Sequence, residues 1–245
     1  MSVNQPKFVF KTAGFTLLEI MISIALLSVF VSMSLMYSDM INRSSNLERT
    51  LSSRERILSG LRNVAGMPAA LRNSIRAAGA DGVTPINREL GNCIAGTVTN
   101  ACNNNQDYPL TLFSPTISMD SSGQPMGLLP ITAPLGSAQT KRFDSFGVPC
   151  EQAGPECPFL VSTTFRAQCP PNPLPASPPP PTDPAFLALF NPKATCTIAE
   201  AVTVIFMVQV DPAAVAANPA LGRFGGSVTG SITTSVKQVF GNDPQ

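Results

Sequence analysis

An apolar run interrupted by one acid lies near the start of this chain, and few folds can accommodate it. Residues 15–37 contain a single charged side chain, Glu19, among 23 residues. As a helix the run would extend roughly 35 Å, enough to cross a hydrocarbon core of about 30 Å. Lys7 and Lys11 precede it, and no acid does. Basic flanks remain on the cytoplasmic side, so the N-terminus is expected inside and the residues after the run outside.

Glu19 sits badly in such a segment, because a carboxylate in lipid costs a few kcal/mol at mid-bilayer. Two readings of it are open. Thr16-Leu17-Leu18-Glu19 has the S/T-x-x-E form of a capping box, and an acid in a first turn suits the helix dipole. Alternatively, Glu19 meets a cation supplied by another molecule, since opposite buried charges compensate where one alone cannot.

Gly14-Phe15-Thr16-Leu17-Leu18-Glu19, after a short basic leader and before the apolar run, resembles the class III signal of type IV pilins and pseudopilins. An ordinary secretory signal is cut after its apolar core; here the junction Gly14-Phe15 precedes it. The resemblance implies that a prepilin peptidase removes residues 1–14 and methylates the new amino group of Phe15. It implies that Glu19 neutralises the terminal amine of a neighbouring subunit during filament assembly. The partners implied are other pilins, the prepilin peptidase, the pilus assembly platform and the inner membrane. The implied location is a single-pass inner-membrane anchor with the domain in the periplasm, then the pilus at the cell surface.

At 245 residues the chain allows one or two domains, with about 200 residues outside the membrane. Net charge is +1 and falls to −1 once Lys7 and Lys11 leave with the leader, so no global field calls for nucleic acid. Charged residues make up only 13% of the chain, with 24 prolines, which suits a loop-rich exported domain better than a cytosolic enzyme. All six cysteines, Cys93, Cys102, Cys150, Cys157, Cys169 and Cys196, follow the apolar run. In an exported domain an even count reads as disulfides. Six cysteines allow about 15 pairings, among which proximity favours Cys93–Cys102, Cys150–Cys157 and Cys169–Cys196. No metal or cofactor is expected: the chain has no histidine and no C-x-x-C.

The helical pattern continues past the apolar run. Leu47, Leu51, Ile57, Leu58, Leu61 and Val64 form a stripe, with Arg43, Glu48, Arg49, Arg54, Glu55, Arg56 and Arg62 on the other positions. One helix is therefore predicted over residues 15–64, its second half packing on the domain. Gly66-Met67-Pro68 breaks it, and a shorter helix follows over residues 68–78, stopping at Gly79. Seven arginines against three acids in residues 39–76 offer a basic face for DNA, head groups or acidic neighbours. A solvated face with local ion pairs accounts for them as well, and aromatic side chains for base stacking are nearly absent.

Residues 80–147 are rich in Gly, Asn, Ser and Pro. They read as turns with short extended pieces at 108–113 and 128–131. Asp120-Ser121-Ser122-Gly123 reads as a turn rather than a calcium loop. A strand is expected over 159–166, then a polyproline-like excursion over 170–184. The strongest strand signal is 201–210, apolar nearly throughout. A long connection over 211–226 leads to an alternating strand over 227–240. The expected layout is α+β: a long protruding N-terminal helix packed on a C-terminal antiparallel sheet, the design of type IV pilins. The expected divisions are a leader 1–14, a helix 15–64 with 15–37 in the membrane, and a loop-rich domain 65–245.

Catalytic motifs are not visible. Without histidine there is no Ser-His-Asp triad, no Cys-His pair and no H-E-x-x-H. Lys141, Lys193 and Lys237 lie in no recognisable Ser–Lys motif. Among pilins, major subunits often carry a helix-breaking proline about 22 residues after the cut; that place is Met36 here, and no proline occurs before Pro68. Arg72-Asn73-Ser74-Ile75-Arg76-Ala77-Ala78-Gly79 resembles the Arg-x-Ala-Gly stretch that follows the long helix in PilW-like minor pilins. The reading is a minor pilin that primes or caps a type IV pilus, serving adhesion, twitching motility or DNA uptake. The alternatives are a type II secretion pseudopilin and a membrane-anchored adhesin or binding module.

Overall fold

A computed structural model describes residues 17–79, 81–119, 125–137, 140–150, 152, 154, 156–173, 175, 180–182, 186, 189–224 and 226–240. The chain is α+β, with a long N-terminal helix and a C-terminal antiparallel sheet. Two compact units meet in sequence between Glu48 and Arg49.

Helix α1 runs Leu17–Ala65. The most apolar 18-residue window of its segment Leu17–Asn42 has a mean hydropathy of 2.2, and the segment has no buried residue. Three serines in this segment are accommodated by hydrogen bonds to the helix itself. Ser23 Oγ donates to the Glu19 carbonyl at 2.7 Å, Ser28 Oγ to Ala25 at 2.8 Å and Ser32 Oγ to Ser28 at 2.8 Å. Hydroxyls satisfied in this way can face an apolar medium without an orphaned donor.

From Arg49 onward, α1 belongs to the second unit. There Ser53, Arg54, Ile57, Leu58, Leu61 and Ala65 are buried, at the three- and four-residue steps of one helix face. Two sequence expectations are corrected. Leu51, counted in the stripe, is exposed, and Arg54, assigned to the polar side, is buried. Tertiary packing turns the buried face toward Arg54, whose guanidinium carbon lies 5.8 Å from the centre of the Phe159 ring. The arginine stem supplies apolar surface while its head meets an aromatic face. Burial pushes the Arg54 guanidinium pKa down.

Gly66 and Met67 close α1 by donating N–H hydrogen bonds to the Arg62 and Val64 carbonyls, and Pro68 opens α2 (Pro68–Arg76). α2 ends two residues before the predicted stop because Ala77 turns extended. The chain then bonds across the loop, Ile86 N–H to Ala77 O and Gly79 N–H to Thr84 O. Helix α3 (Arg88–Ala95) lies where only loop is expected from composition. Its buried Leu90, Cys93 and Ile94 have helical spacing, and Gly96 ends it at φ 65°. A Cβ at Gly96 would lie 2.5 Å from Ile198 Cγ1, so glycine is required for both conformation and space.

The strands are β1 (Cys102–Asn103), β2 (Asp107–Pro109), β3 (Leu112–Phe113), β4 (Ser118–Met119), β5 (Pro125–Gly127) and β6 (Pro130–Thr132). They continue with β7 (Lys141–Phe143), β8 (Pro149–Cys150), β9 (Phe159–Gln168), β10 (Thr195–Cys196), β11 (Ala201–Val210) and β12 (Val228–Ser235). The main sheet has the order β12-β11-β9-β7-β8, with β2 sharing the β7 side of β9. The expected piece at 108–113 divides: β2 joins β9, while β3 pairs with β6. β7 and β8 form a hairpin that composition alone does not signal.

β9 and β11 are aligned along ten residues, from Ala201 opposite Gln168 to Val210 opposite Phe159. On β11, Val202, Val204, Phe206 and Val208 are buried and alternate with half-exposed residues. They share a core with Ile57, Leu58 and Leu61 of α1 and Leu71 of α2. Gly230 of β12 admits α1: a Cβ there would lie 3.0 Å from Leu58 Cδ2 and 2.9 Å from Arg62 Nη2.

The predicted strand over 227–240 is half correct. β12 stops at Ser235, opposite Ala201, because its partner strand begins there and offers no further ladder. Val236 N–H then bonds to Glu200 O, and α5 (Val236–Phe240) follows, burying Val236 and Val239. The connection before β12 also contains α4 (Pro212–Ala217) and a 3-10 turn at Pro219–Phe224. Asp211 caps α4, accepting from Ala213 N–H at 2.9 Å. Aspartate before proline is a legible start signal.

Disulfides join Cys93 to Cys102, Cys150 to Cys157 and Cys169 to Cys196. A buried polar hub fixes the second unit's loops. Asn87 donates to the carbonyls of Ser74 and Thr111, each at 2.8 Å, and accepts from Thr111 N–H at 2.7 Å. Ser74 Oγ in turn accepts from Phe113 N–H at 2.9 Å.

Candidate functional site

Glu19 lies in the first turn of α1, exposed, with apolar neighbours Leu18, Ile20 and Ile22 also exposed. The helix N-terminus carries partial positive charge, so the position favours an anion even before any partner arrives. Gly14, Phe15 and Thr16 lie outside the described residues, as do the Asp120–Gly123 turn and most of the 170–184 excursion. The apolar segment Leu17–Asn42 offers its whole circumference to its surroundings. Chemically, this is a greasy rod with Glu19 at its leading end and Asp39 near its trailing end, suited to lipid or to bundles of like rods.

Residues 10–35 match the family model of the prokaryotic N-terminal methylation motif. The chain carries a class III signal. Together with the apolar N-terminal helix, this motif is consistent with a type IV pilin-like or pseudopilin protein. It implies processing by prepilin peptidase and pilin-type assembly, and it suggests a membrane-anchored protein. Proteins of this kind are generally structural rather than catalytic. No curated protein and no solved structure matches the chain.

Several ionisable side chains of the second unit are engaged in structure. Arg166 donates from Nε and Nη2 to the two carboxylate oxygens of Asp107, its cross-strand partner, at 2.8 and 2.9 Å. The hydrogen bonds from Arg166 hold the Asp107 carboxyl below the usual carboxylate range. Arg142 Nε donates to Asp211 at 2.6 Å, tying β7 to the start of α4. Asp81 is held low first by the Thr84 hydroxyl, then by the Thr84 and Val83 amides, all within one turn. Asp144 accepts from Phe146 and Val148 amides in the β7–β8 turn. The Asn87 hub and the Arg142–Asp211 pair escape sequence reasoning because their partners are 24 and 69 residues apart.

The basic face predicted on α1 is interrupted. Arg54 is buried and Arg62 lies against Gly230, which leaves Arg49 and Arg56 exposed among the arginines from 49 to 62. An open depression of about 480 Å³ lies at the end of β11, lined by Gln209, Val210, Pro212, Val215, Gly222, Gly226 and Ser227. None of its lining side chains is an acid or a base. The Sγ atoms of Cys102, Cys169 and Cys196 lie within 4.8 Å of one another, buried. Each is already bonded in a disulfide, so none is a free thiolate for a metal.

Proposed function

We propose that this chain is a minor type IV pilin, a structural subunit that initiates assembly of a pilus or caps it. The observation that supports this most is the methylation motif running directly into an unburied apolar helix, which continues without proline into an α+β unit. In this reading, peptidase cleavage between Gly14 and Phe15 leaves a methylated amine one helical turn from Glu19. Glu19 then compensates the amine of an adjacent subunit, in surroundings where neither charge alone is tolerated. The protein waits in the inner membrane with its N-terminus cytoplasmic, then enters the pilus. A large loop-rich unit is tolerated at a filament tip more readily than in a repeated shaft.

The test is a pair of substitutions in the full chain. Gly14→Val should leave the precursor uncut on a gel, and Glu19→Ala should insert in the membrane normally yet be missing from sheared pili. Mature-size Gly14→Val protein, or pili containing Glu19→Ala at the parental level, would refute the assignment. Deletion separates the pilus role from a type II secretion filament: the first predicts lost pili and twitching, the second lost secretion with intact pili.

A further inference from the structure

Beyond filament assembly, the core contains an arrangement of sulfur that a set of independent staples does not require. Two of the three disulfides are neighbours. Cys102 on β1 stands directly opposite Cys196 on β10, and the Cys169 Sγ lies 3.7 Å from the Cys102 carbonyl oxygen. Cys102, Cys169 and Cys196 thus group their sulfurs within 4.8 Å, although Cys102 is bonded to Cys93 rather than to either of them. Opposed residues of an antiparallel pair have Cα atoms about 4.5–5.5 Å apart, within the range of about 4.4–6.8 Å that a disulfide requires. The bonded pairs have Cα separations of 5.0 Å for Cys93–Cys102 and 5.7 Å for Cys169–Cys196. A Cys102–Cys196 bond therefore needs no strand to move. The Cys150–Cys157 disulfide is not part of this group.

We propose that Cys93, Cys102, Cys169 and Cys196 form one thiol–disulfide exchange site, in which Cys102 passes from Cys93 to Cys196. The co-reactant is a dithiol, whether a small molecule or a dithiol oxidoreductase. Its thiolate attacks the Cys93 Sγ, the Cys93–Cys102 bond breaks, and Cys102 leaves as a thiolate. The second thiol of the reductant releases Cys93 as a thiol, so the reductant is oxidised to its own disulfide and two electrons enter the chain. The Cys102 thiolate then attacks the Cys196 Sγ. A Cys102–Cys196 bond forms, the Cys169–Cys196 bond breaks, and Cys169 leaves as a thiolate that takes a proton from water. Exchange consumes no further electrons. All four cysteines are buried in the folded state, so the first attack takes place only when the chain around Cys93 opens locally, whereas the second step is intramolecular.

The test uses the full-length chain in detergent with two cysteines replaced, Cys93→Ser and Cys169→Ser. The expected result is a Cys102–Cys196 cross-linked peptide by mass spectrometry, intact Cys150–Cys157, and no site alkylated without reduction. Free thiols at both Cys102 and Cys196 would overturn the proposal. So would cross-links from Cys102 to Cys150 or Cys157, which indicate random oxidation. Should that variant fail to fold, the unaltered chain is treated with one equivalent of dithiothreitol, quenched with acid and mapped. A Cys102–Cys196 peptide supports exchange; a mixture of only the original pairs and fully reduced cysteines refutes it.

Discussion

Asn87 is a place where a single side-chain deletion should unsettle the whole second unit. Its amide donates to two carbonyls and accepts from one N–H, tying α2 to the segment before β3, and the residue is buried. Asn87→Ala removes all three bonds and leaves the Ser74 carbonyl, the Thr111 carbonyl and the Thr111 N–H without those partners. A buried polar group left unsatisfied costs about 1–3 kcal/mol, and water entering the vacated space recovers part of it, so a loss of roughly 3–5 kcal/mol is expected. That is a large fraction of a typical domain stability of about 5–15 kcal/mol. The assay is urea unfolding of the full chain followed by far-UV circular dichroism, with hydrogen exchange read on the peptide containing Thr111. The midpoint should fall sharply, and Thr111 protection should be lost at urea concentrations where β9 and β11 remain protected. Asn87→Asp retains the acceptor for Thr111 N–H but faces two carbonyls with a carboxylate. Burial raises that carboxyl's folded pKa, so the deficit relative to the unaltered chain should be smaller in acid, where the group is protonated, and grow toward neutral pH. An unchanged midpoint in Asn87→Ala, with Thr111 still protected, would show that the hub contributes nothing.

Three further outcomes follow from the packing and the charges. Leu58→Ala, at a fully buried site, should cost about 2–5 kcal/mol, whereas Leu51→Ala on the exposed side of α1 should stay within about 0.5 kcal/mol; paired urea titrations decide, and equal losses would contradict the observed rotation of the helix. Gly230→Val places a side chain where Leu58 and Arg62 already sit, so it should destabilise by about 1–3 kcal/mol, and thermal melting at the parental temperature would contradict the close approach of α1 to β12. Asp107 has a folded pKa below its unfolded value, so its contribution is present above about pH 4 and is lost as pH falls through the lower folded value. Asp107→Asn should therefore flatten part of the acid limb of the stability profile. The effect should be small because both partners are substantially exposed, and an unchanged acid limb would count against the pair.

Much of the chain's design is local and therefore readable along the sequence. The apolar run with Glu19, the break at Gly66-Met67-Pro68 and the β-branched stretch of β11 each carry a period or a punctuation mark within ten or twenty residues. α3 and α4 also carried local signals, in the spacing of Leu90, Cys93 and Ile94 and in Asp211-Pro212, which a loop-rich composition obscured. Other features have no local cause. Val236 becomes helical because β11 begins at Ala201 and leaves nothing to pair with. Arg54 is buried and Leu51 exposed because Phe159 and the sheet choose which side of α1 to cover. The sulfurs of Cys102 and Cys196, distant in the chain, become neighbours through one short strand pair. Periodicity and turn chemistry act over a few residues and decide which elements form. Which face each element buries, where a strand must stop and which distant groups meet depend on partners brought together only when the chain closes on itself.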